Sequence, residues 1–348
     1  MGAKGYLCGE YWLSSLEISQ GRKKMTQVGV PIALDNSTSI IDIGFFNAAS
    51  ICSIYVIRGE RTCIIDSGTA SEVPRLCGGL KQAKAYPPDI IALTHSHFDH
   101  SQGVPKLRDL ASKEGKMIEV LASEVGVELL ADQSYNKAFD QKGRYVDITD
   151  VTPLKDGDII DLGGETLKVF STPGHSKDMI SFLHQETGKL YVGDSIGMYL
   201  GENSYVPPFM PASWNLEAFR STIKKMKQID FKQLCFAHFG CLSEELSRNF
   251  LDFALENTNL WWQLFEQADE AGKIRDYDYL TEKILNESGL TLPQLELLSA
   301  KLRIGLKLLN GFRRIRGNEP LPAAQVLMHD YVVPWLSRGY RIYKEGKT

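Results

Sequence analysis

The chain has 348 residues, a length typical of about two domains. Hydrophobic residues make up 43% of it and charged residues 24%, which is the balance of an ordinary globular protein. The formal net charge of −4 gives no general attraction to nucleic acid or to an anionic membrane. No stretch approaches the roughly 18 consecutive apolar residues of a membrane-spanning helix. We therefore expect no membrane partner and no nucleic-acid partner.

The first 20 residues and the cysteines give evidence on the cellular compartment of the protein. The N-terminal stretch contains two glutamates and lacks a basic start followed by an apolar core, so it does not resemble a secretion signal. Six cysteines are scattered along the chain without a Cys-x-x-Cys pair. In a chain of this length that pattern predicts reduced, mostly buried thiols. Both features predict a cytoplasmic protein.

Three segments differ in periodicity. Residues 1–36 show no clear pattern, and we treat them as an N-terminal extension that either adds an edge strand or lies on the surface. Between residues 37 and 242, short β-branched runs alternate with amphipathic stretches, which predicts strands alternating with helices. Between residues 243 and 348 the strand signal stops and apolar residues recur at helical spacing. We predict an α/β domain followed by an all-helical C-terminal region.

Three histidines and one aspartate fall within a single hexapeptide, residues 95–100. The apolar run directly before it predicts a buried strand, and ligands that follow a strand are presented at the mouth of a sheet. Because residues two apart on a strand end face the same way, His95 and His97 can serve one metal ion. Asp99 and His100 lie beyond the strand and can turn toward a second ion.

Three further polar residues lie beside glycines where predicted strands end: His175, Asp194 and His238. Glycine permits the tight turns and close backbone approach that such positions need. Five of the seven histidines thus follow predicted strands. Five imidazoles with two carboxylates suit a pair of divalent metal ions, with zinc the first choice and iron or manganese as alternatives.

The order of these residues carries a family resemblance. The hexapeptide, followed by His175, Asp194 and His238 and preceded by Asp66, resembles the metallo-β-lactamase superfamily over roughly residues 38–242. The resemblance implies a four-layered αββα sandwich, here with an all-helical C-terminal extension. It also implies a metal-dependent hydrolase.

The resemblance further implies a role for each residue. Three histidines would hold the first metal ion: His95, His97 and His175. Three residues would hold the second: Asp99, His100 and His238. Asp194 would bridge both ions. Asp66 would stand behind the ligands and fix the orientation of one imidazole.

The implied reaction is hydrolysis. Two metal ions about 3.5–4 Å apart lower the pKa of a bridging water, and the resulting hydroxide attacks a carbonyl or phosphoryl centre. Asp99 would be the catalytic residue that carries the proton to the leaving group. We take hydrolysis of a thioester, ester or lactone, the glyoxalase II or lactonase type of reaction, as the first functional prediction.

Other functions remain open at this point. A phosphodiesterase or nuclease of the same fold would use the same metal pair. A mononuclear iron dioxygenase branch shares much of the ligand set, so the sequence does not remove it. A metal-binding signalling protein would keep the site and act through partners of its helical tail.

The loop after Asp194 and the helical tail bear on the substrate. Residues 198–214 are rich in aromatic residues and proline, which predicts a pocket wall that includes Tyr199, Tyr205 and Phe209. Such a wall favours a small-molecule substrate with an apolar or acyl part. Ordinary packing of these aromatic residues against the helical tail is the alternative.

Six cations and no acid lie between Lys301 and Arg316. A solvated helix face is the first interpretation of this run. Recognition of an anionic handle, such as a coenzyme A phosphate or a glutathione carboxylate, is the second. A homodimer formed through the helical tail is also left open.

Overall fold

The computed structural model describes residues 27–45, 49–140, 142–200, 205–288 and 331–346, with residues 308, 311, 312, 315 and 316. The first seven strands in these ranges are β1 Pro31–Ala33, β2 Thr38–Asp42, β3 Ser53–Arg58, β4 Thr62–Ile65, β5 Ile90–Ala92, β6 Glu119–Ser123 and β7 Val151–Leu154. They are followed by β8 Ile159–Asp161, β9 Thr166–Ser171, β10 Ile180–His184, β11 Lys189–Gly193, β12 Met198–Tyr199, β13 Tyr205–Val206, β14 Gln233–Phe236 and β15 Gly240–Cys241.

Helices separate and flank these strands. In the first half of the chain they are α1 Val73–Gln82, α2 Phe98–Ser101, α3 Val104–Ser112, α4 Glu124–Ala131 and a 3-10 helix at Gln133–Ala138. In the second half they are α5 Leu216–Met226, α6 Glu244–Glu270, α7 Tyr277–Glu287 and α8 Val333–Lys344. Ser123 caps the N-terminus of α4, because its Oγ accepts a hydrogen bond from the Gly126 backbone N–H at 3.0 Å.

The strands form two large sheets. The first contains β1 to β7 in sequence order, antiparallel from β1 to β4 and parallel from β4 to β7. The second has the order β15-β14-β11-β10-β9-β8, in which β11 and β14 run parallel. Strands β12 and β13 pair separately. Because β9, β11 and β14 run in the same direction, their carboxyl ends lie at one edge of the second sheet.

Three hydrophobic cores separate four layers. On β2, Ile41 faces the core shared with α1 and α3, whereas its neighbour Ile40 faces the core between the two sheets. Phe182 and Tyr191 of the second sheet meet that central core from the opposite side. The third core lies between the second sheet and helices α5 to α8. Alternation of side chains along each strand produces this division, and the predicted αββα sandwich with C-terminal helices is confirmed.

The predicted N-terminal extension contributes to the first sheet. Its strand β1 pairs with β2 in an antiparallel register that places Ile32 opposite Ile40. This is the edge-strand alternative of the prediction. The sheet therefore begins a few residues before residue 37.

One pair of cysteines differs from the prediction. Cys235 and Cys241 face each other across the β14–β15 hairpin and form a disulfide. The prediction of reduced thiols is therefore wrong for this pair, although Cys52, Cys63 and Cys77 are free and buried as expected. Disulfides are typical of oxidising compartments, so the cysteines no longer support a cytoplasmic location.

The helical tail is described only in part. Most of the basic run between residues 301 and 316 lies outside the described residues, and of its six cations only Arg316 is described, with an exposed side chain. In the described ranges, every helix is too short or too polar to cross a membrane.

An ion pair joins the two sheets at the edge opposite the predicted site. Asp35, in the turn between β1 and β2, accepts a hydrogen bond from Lys189 at the start of β11, and the Lys189 side chain is buried. Burial alone would raise the pKa of Asp35. Lys189 and the backbone N–H groups of Thr38 and Ser37 outweigh that effect and lower the pKa from 3.8 to about 2.

The Asp35→Asn variant should lower the free energy of unfolding at pH 7 by about 1–2 kcal/mol, because Lys189 would stay buried without its charged partner. The carboxyl has a lower pKa in the folded state, so the wild-type advantage is present above about pH 4 and fades as the pH falls toward 2. Urea denaturation at pH 7 and at about pH 3 measures this, with exposed Asp230→Asn as the matched control. If the difference in free energy of unfolding between the wild-type protein and Asp35→Asn does not shrink at the lower pH, the stabilising role of the Asp35–Lys189 ion pair is contradicted.

Candidate metal centre

The predicted ligands lie at strand ends that meet at one edge of the sandwich. The first sheet supplies four of them, directly after β5 and in α2: His95, His97, Asp99 and His100. The second sheet supplies three, after β9, β11 and β14: His175, Asp194 and His238. All are buried except Asp99, whose side chain is 13% exposed.

Three imidazoles form the first group of ligand atoms. His95, His97 and His175 each offer a nitrogen, and these atoms lie within 4.8 Å of one another. Of these atoms, His175 Nε2 and His97 Nδ1 lie 2.9 Å apart. Three converging imidazole nitrogens are a common ligand set for zinc and other first-row metal ions.

A carboxylate and two imidazoles form the second group. Asp99, His100 and His238 also offer ligand atoms within 4.8 Å of one another. Asp99 Oδ2 lies 3.4 Å from His238 Nε2 and 3.8 Å from His100 Nε2. This group could hold a second ion.

Asp194 lies between the two groups. Its Oδ2 is 3.6 Å from His175 Nε2 in the first group. The same atom is 3.5 Å from His100 Nε2 and 3.8 Å from His238 Nε2 in the second group. One carboxylate oxygen is thus equally close to both sets of nitrogens, which suits a ligand shared by two ions.

Hydrogen bonds behind the imidazoles set their orientation. Three rings donate from Nδ1 to acceptors at 2.7–2.8 Å: His100 to Asp66, His175 to the Pro208 carbonyl and His238 to the Ile51 carbonyl. In each of these rings the other nitrogen, Nε2, faces the centre, where it lies 3.5–3.8 Å from Asp194 Oδ2. Fixing a ligand ring through its second nitrogen is the usual arrangement around protein-bound metals.

Several buried atoms at the centre are unsatisfied without a cation. Within the described residues, four of them have no hydrogen-bond partner: Nε2 of His95, His100 and His238, and Oδ1 of Asp194. An unpaired buried polar atom costs roughly 1–3 kcal/mol. Four such acceptors around one point therefore fit divalent metal ions, which these residues would hold.

Asp66 supports two ligand rings at once. It follows β4 in the left-handed backbone region, with φ of 64°, which few residues other than glycine, asparagine and aspartate adopt. Its carboxylate accepts from His100 Nδ1 at 2.8 Å and from the Thr94 hydroxyl at 2.9 Å. The Thr94 hydroxyl lies 3.0 Å from His95 Nδ1. Asp66 therefore orients His100 directly and His95 through Thr94.

Gly193 permits the turn that presents Asp194. Its φ is 51°, in the left-handed region. A Cβ atom at this position would lie 2.8 Å from Thr94 Cβ, closer than real side chains approach. A larger residue would push apart the second sheet and the Thr94 segment, which carry ligands from opposite sides of the centre.

Burial is the largest influence on the pKa values of the ligands. It lowers the pKa of His95 and of His97 well below 6.5, and neighbouring imidazoles add to the effect. Burial alone would raise the pKa of Asp194, but His238 and His100 outweigh it and hold that pKa well below its usual range. Neutral imidazoles and an ionised carboxylate are the protonation states that bind metal ions.

Tyr135 is a neighbour of the centre that no sequence signal identifies. It lies in the 3-10 helix, stacks on the His97 ring at a centroid distance of 5.6 Å and places its hydroxyl 3.4 Å from His97 Nε2. The same hydroxyl lies 2.8 Å from Ser176 Oγ and 2.7 Å from Ser213 Oγ. In the sequence, Tyr135 is one aromatic residue in a segment without clear periodicity, and nothing there links it to the ligands.

An aromatic wall also flanks His97. The Phe139 ring meets the His97 ring edge-on at 4.7 Å, and Trp335 of α8 meets Phe139 at 5.4 Å. Both aromatic side chains are half-buried, so they present apolar surface beside the centre. They are separated by almost 200 positions in the sequence, so their proximity depends on the tertiary fold.

The predicted substrate contacts need a correction for two residues. Tyr205 is fully buried, and its hydroxyl donates to the Ile196 carbonyl at 3.0 Å. Phe209 is also fully buried and packs against Phe265 of α6 at 5.1 Å. Their aromatic side chains hold the loop against the helical layer, so the packing alternative is correct for both.

Tyr199 has a different position. Its side chain is half-buried and meets Phe250 edge-on at 5.4 Å. Its backbone N–H donates to the His238 carbonyl at 2.7 Å, and the Phe239 N–H donates back to the Tyr199 carbonyl at 3.1 Å. Tyr199 thus fixes the hairpin that carries His238, whereas a contact with substrate stays a prediction.

The Asp66→Asn variant should bind zinc about 10–100-fold more weakly, because an amide supports the imidazoles behind the centre less well than a carboxylate does. Competition with a chromophoric chelator measures the affinity. Asp42→Asn is the matched control: Asp42 is also buried, but it accepts from the Gly44 and Ser50 backbones and contacts none of the ligands. Equal zinc affinity in the Asp66 variant and the wild-type protein would refute the supporting role.

Comparison with known proteins places this centre in a family. The metallo-beta-lactamase fold-containing protein ST1585 of Sulfurisphaera tokodaii is 28% identical over 214 residues, covering 58% of this chain and 77% of that protein. The acyl-coenzyme A thioesterase MBLAC2 of Gallus gallus is 28% identical over 166 residues, covering 44% of this chain and 60% of that protein. The match thus spans less than two thirds of the thioesterase.

A solved structure and a family model agree with these relatives. BJP-1, a subclass B3 metallo-beta-lactamase of Bradyrhizobium japonicum, shares the fold with a TM-score of 0.54 and 18% identity, over 72% of this chain and 99% of that chain. The model of the metallo-beta-lactamase superfamily matches residues 48–238, more than half of the chain and the range that contains all seven candidate ligands. The chain therefore belongs to the metallo-beta-lactamase superfamily and is a hydrolase of that fold.

Proposed function

We propose that this hydrolase cleaves a thioester with an apolar acyl part, with esters and lactones as related substrates, and that its centre holds two divalent metal ions, zinc first. One observation carries the proposal. Asp194 Oδ2 lies 3.6 Å from His175 Nε2 and 3.5 Å from His100 Nε2, which belong to the two different ligand groups. A shared carboxylate of this kind supports two ions in one centre.

Two observations favour a thioester among the carbonyl substrates. One relative is named an acyl-coenzyme A thioesterase, although the match covers only 60% of it. In addition, Phe139 places an apolar ring beside His97, where it would contact an acyl chain.

The metal ions would generate hydroxide at neutral pH and polarise the carbonyl of the substrate. The protein itself would exclude water from the centre and hold the ligands in position. Burial of six of the seven candidate ligands excludes bulk water from the centre and strengthens the electrostatic interactions within it. Asp66 and the backbone carbonyls of Pro208 and Ile51 hold the imidazoles in position before any substrate arrives.

Asp99 is placed to move the proton. It is the most exposed of the candidate ligands, and its Oδ2 lies 3.4 Å from His238 Nε2. Burial alone would raise its pKa, but His100 and His238 outweigh that effect and lower the pKa, so the carboxylate is ionised. Its Oδ2 would take up the proton that the attacking water releases. From Oδ2 the proton would pass to the departing thiolate.

The direct test is hydrolysis by zinc-loaded protein of a panel that contains an acyl thioester, a lactone and bis-p-nitrophenyl phosphate. We expect cleavage of the thioester, its loss after chelation, and its return when zinc is added back. Asp99→Asn should reduce kcat per bound zinc by about 10²–10⁴-fold, because the proton carrier is lost. Asp230→Asn, an exposed change of the same chemistry outside the centre, should leave kcat unchanged.

Two results would overturn this function. Cleavage of the phosphodiester alone would identify a phosphodiesterase or nuclease. Protein that carries two zinc ions but cleaves none of the three substrates would favour the signalling alternative, particularly if its biological effect survived His97→Ala.

A further inference from the structure

A cavity lies away from the metal ligands, between the segment after the 3-10 helix and the C-terminal helix α8. Its volume is about 460 Å³, within the range of pockets that hold small organic ligands. None of the candidate metal ligands lines it. Its walls include four aromatic side chains, two arginines and one aspartate: Phe139, Tyr277, Tyr331, Trp335, Arg338, Arg341 and Asp140.

The two arginines make one side of the cavity positive. Arg338 and Arg341 lie one helical turn apart on α8, so both side chains reach the same face. Arg341 Nε is fully buried and has no hydrogen-bond partner among the described residues. Burial lowers the pKa of Arg341, and the charge of Arg275 adds to that effect. A buried guanidinium N–H without an acceptor indicates that an anion belongs beside it.

The aromatic side chains give the cavity flat walls. Trp335 meets Phe139 edge-on at 5.4 Å and Tyr331, which also lines the cavity, at 5.7 Å. Trp335 Nε1 donates to the Phe139 carbonyl at 3.4 Å, which fixes the indole against that wall. Aromatic faces of this kind stack on planar heterocycles. The exposed Asp140 carboxylate adds an acceptor for an amino or hydroxyl group.

We propose that this cavity binds the nucleoside phosphate part of the substrate. The arginines would take the phosphate, Trp335 would stack on the base, and Asp140 would accept from the base or the ribose. A bare phosphate would leave the aromatic walls unused, and a purely apolar group would leave the guanidinium groups unpaired. A planar base joined to a phosphate would use the aromatic walls, the two guanidinium groups and the Asp140 carboxylate.

The cavity is connected to the metal centre through one residue. Phe139 lines the cavity, and its ring also lies 4.7 Å from the His97 ring. A substrate anchored by its nucleoside phosphate in the cavity can therefore extend past Phe139 toward the ligands. This inference rests on the proposed function, and it narrows the substrate to an acyl group joined to a nucleotide-bearing carrier.

Calorimetric titration of the full chain with ADP, adenosine, inorganic phosphate and reduced glutathione tests the site. We expect ADP to bind at least about tenfold more tightly than each of the other three probes. Arg341→Gln should weaken ADP binding about 10–100-fold, because a charge-assisted contact to phosphate is lost. Trp335→Leu should weaken both ADP and adenosine about tenfold, because base stacking is lost.

Two further variants control for charge and folding. Arg248→Gln removes the same charge from an exposed position on α6 and should leave ADP binding unchanged. Arg341→Lys keeps the charge without the forked donor pair and should show intermediate affinity. Melting curves establish whether each variant is folded. If one of the two Arg341 variants does not fold, the comparison uses the other.

The outcomes separate this inference from the proposed function. ADP affinity that is the same in Arg341→Gln as in the wild-type protein overturns the nucleotide site, even if thioesters are cleaved. Tighter binding of glutathione than of ADP also overturns it, in favour of a peptide carboxylate. Arginine-dependent ADP binding in a zinc-loaded protein that cleaves no thioester supports the site and overturns the proposed hydrolysis.

Discussion

The convergence of buried ligand atoms between two sheets is the constraint on which the rest of the structure depends. Five imidazoles and two carboxylates meet at one edge of the sandwich, and four of their polar atoms have no hydrogen-bond partner among the described residues. Such an arrangement is unfavourable unless a cation occupies the space between them. The ligand rings are held in this arrangement by contacts from Asp66, Thr94 and the backbone carbonyls of Pro208 and Ile51.

Hydrogen bonds join the two sheets near the centre. The Ser53 backbone N–H donates to the Ala237 carbonyl at 2.8 Å, and Tyr55 donates to the Phe236 carbonyl at 2.8 Å, so β3 supports the hairpin of His238. Asp178, in the loop between β9 and β10 of the second sheet, accepts from the Ser96 backbone N–H between two ligands of the first sheet. Moving either sheet would therefore displace ligands from both groups together. These contacts between the sheets therefore contribute both to the stability of the sandwich and to the geometry of the centre.

The strand ends and the candidate ligands could be predicted from the sequence because their signals are local. A buried apolar run followed by histidine or aspartate beside glycine marks each position, and the fold brings those positions to one edge. The roles of Tyr205 and Phe209 could not be predicted, because aromatic content does not tell a pocket wall from a core. Tyr135 and the Phe139–Trp335 wall could not be predicted either, since their proximity to His97 depends on long-range packing. The Cys235–Cys241 disulfide depends on the register of β14 and β15, which spacing alone does not fix.

The central claim is that one carboxylate, Asp194, joins two metal ions in a single centre. X-ray diffraction from crystals of the zinc-loaded protein, with anomalous differences collected on both sides of the zinc edge, tests it most directly. Two anomalous peaks are expected, one among His95, His97 and His175 and one among Asp99, His100 and His238, each about 2.0–2.2 Å from an Asp194 oxygen. A single peak at full zinc occupancy, or two peaks of which only one contacts Asp194, would contradict the claim.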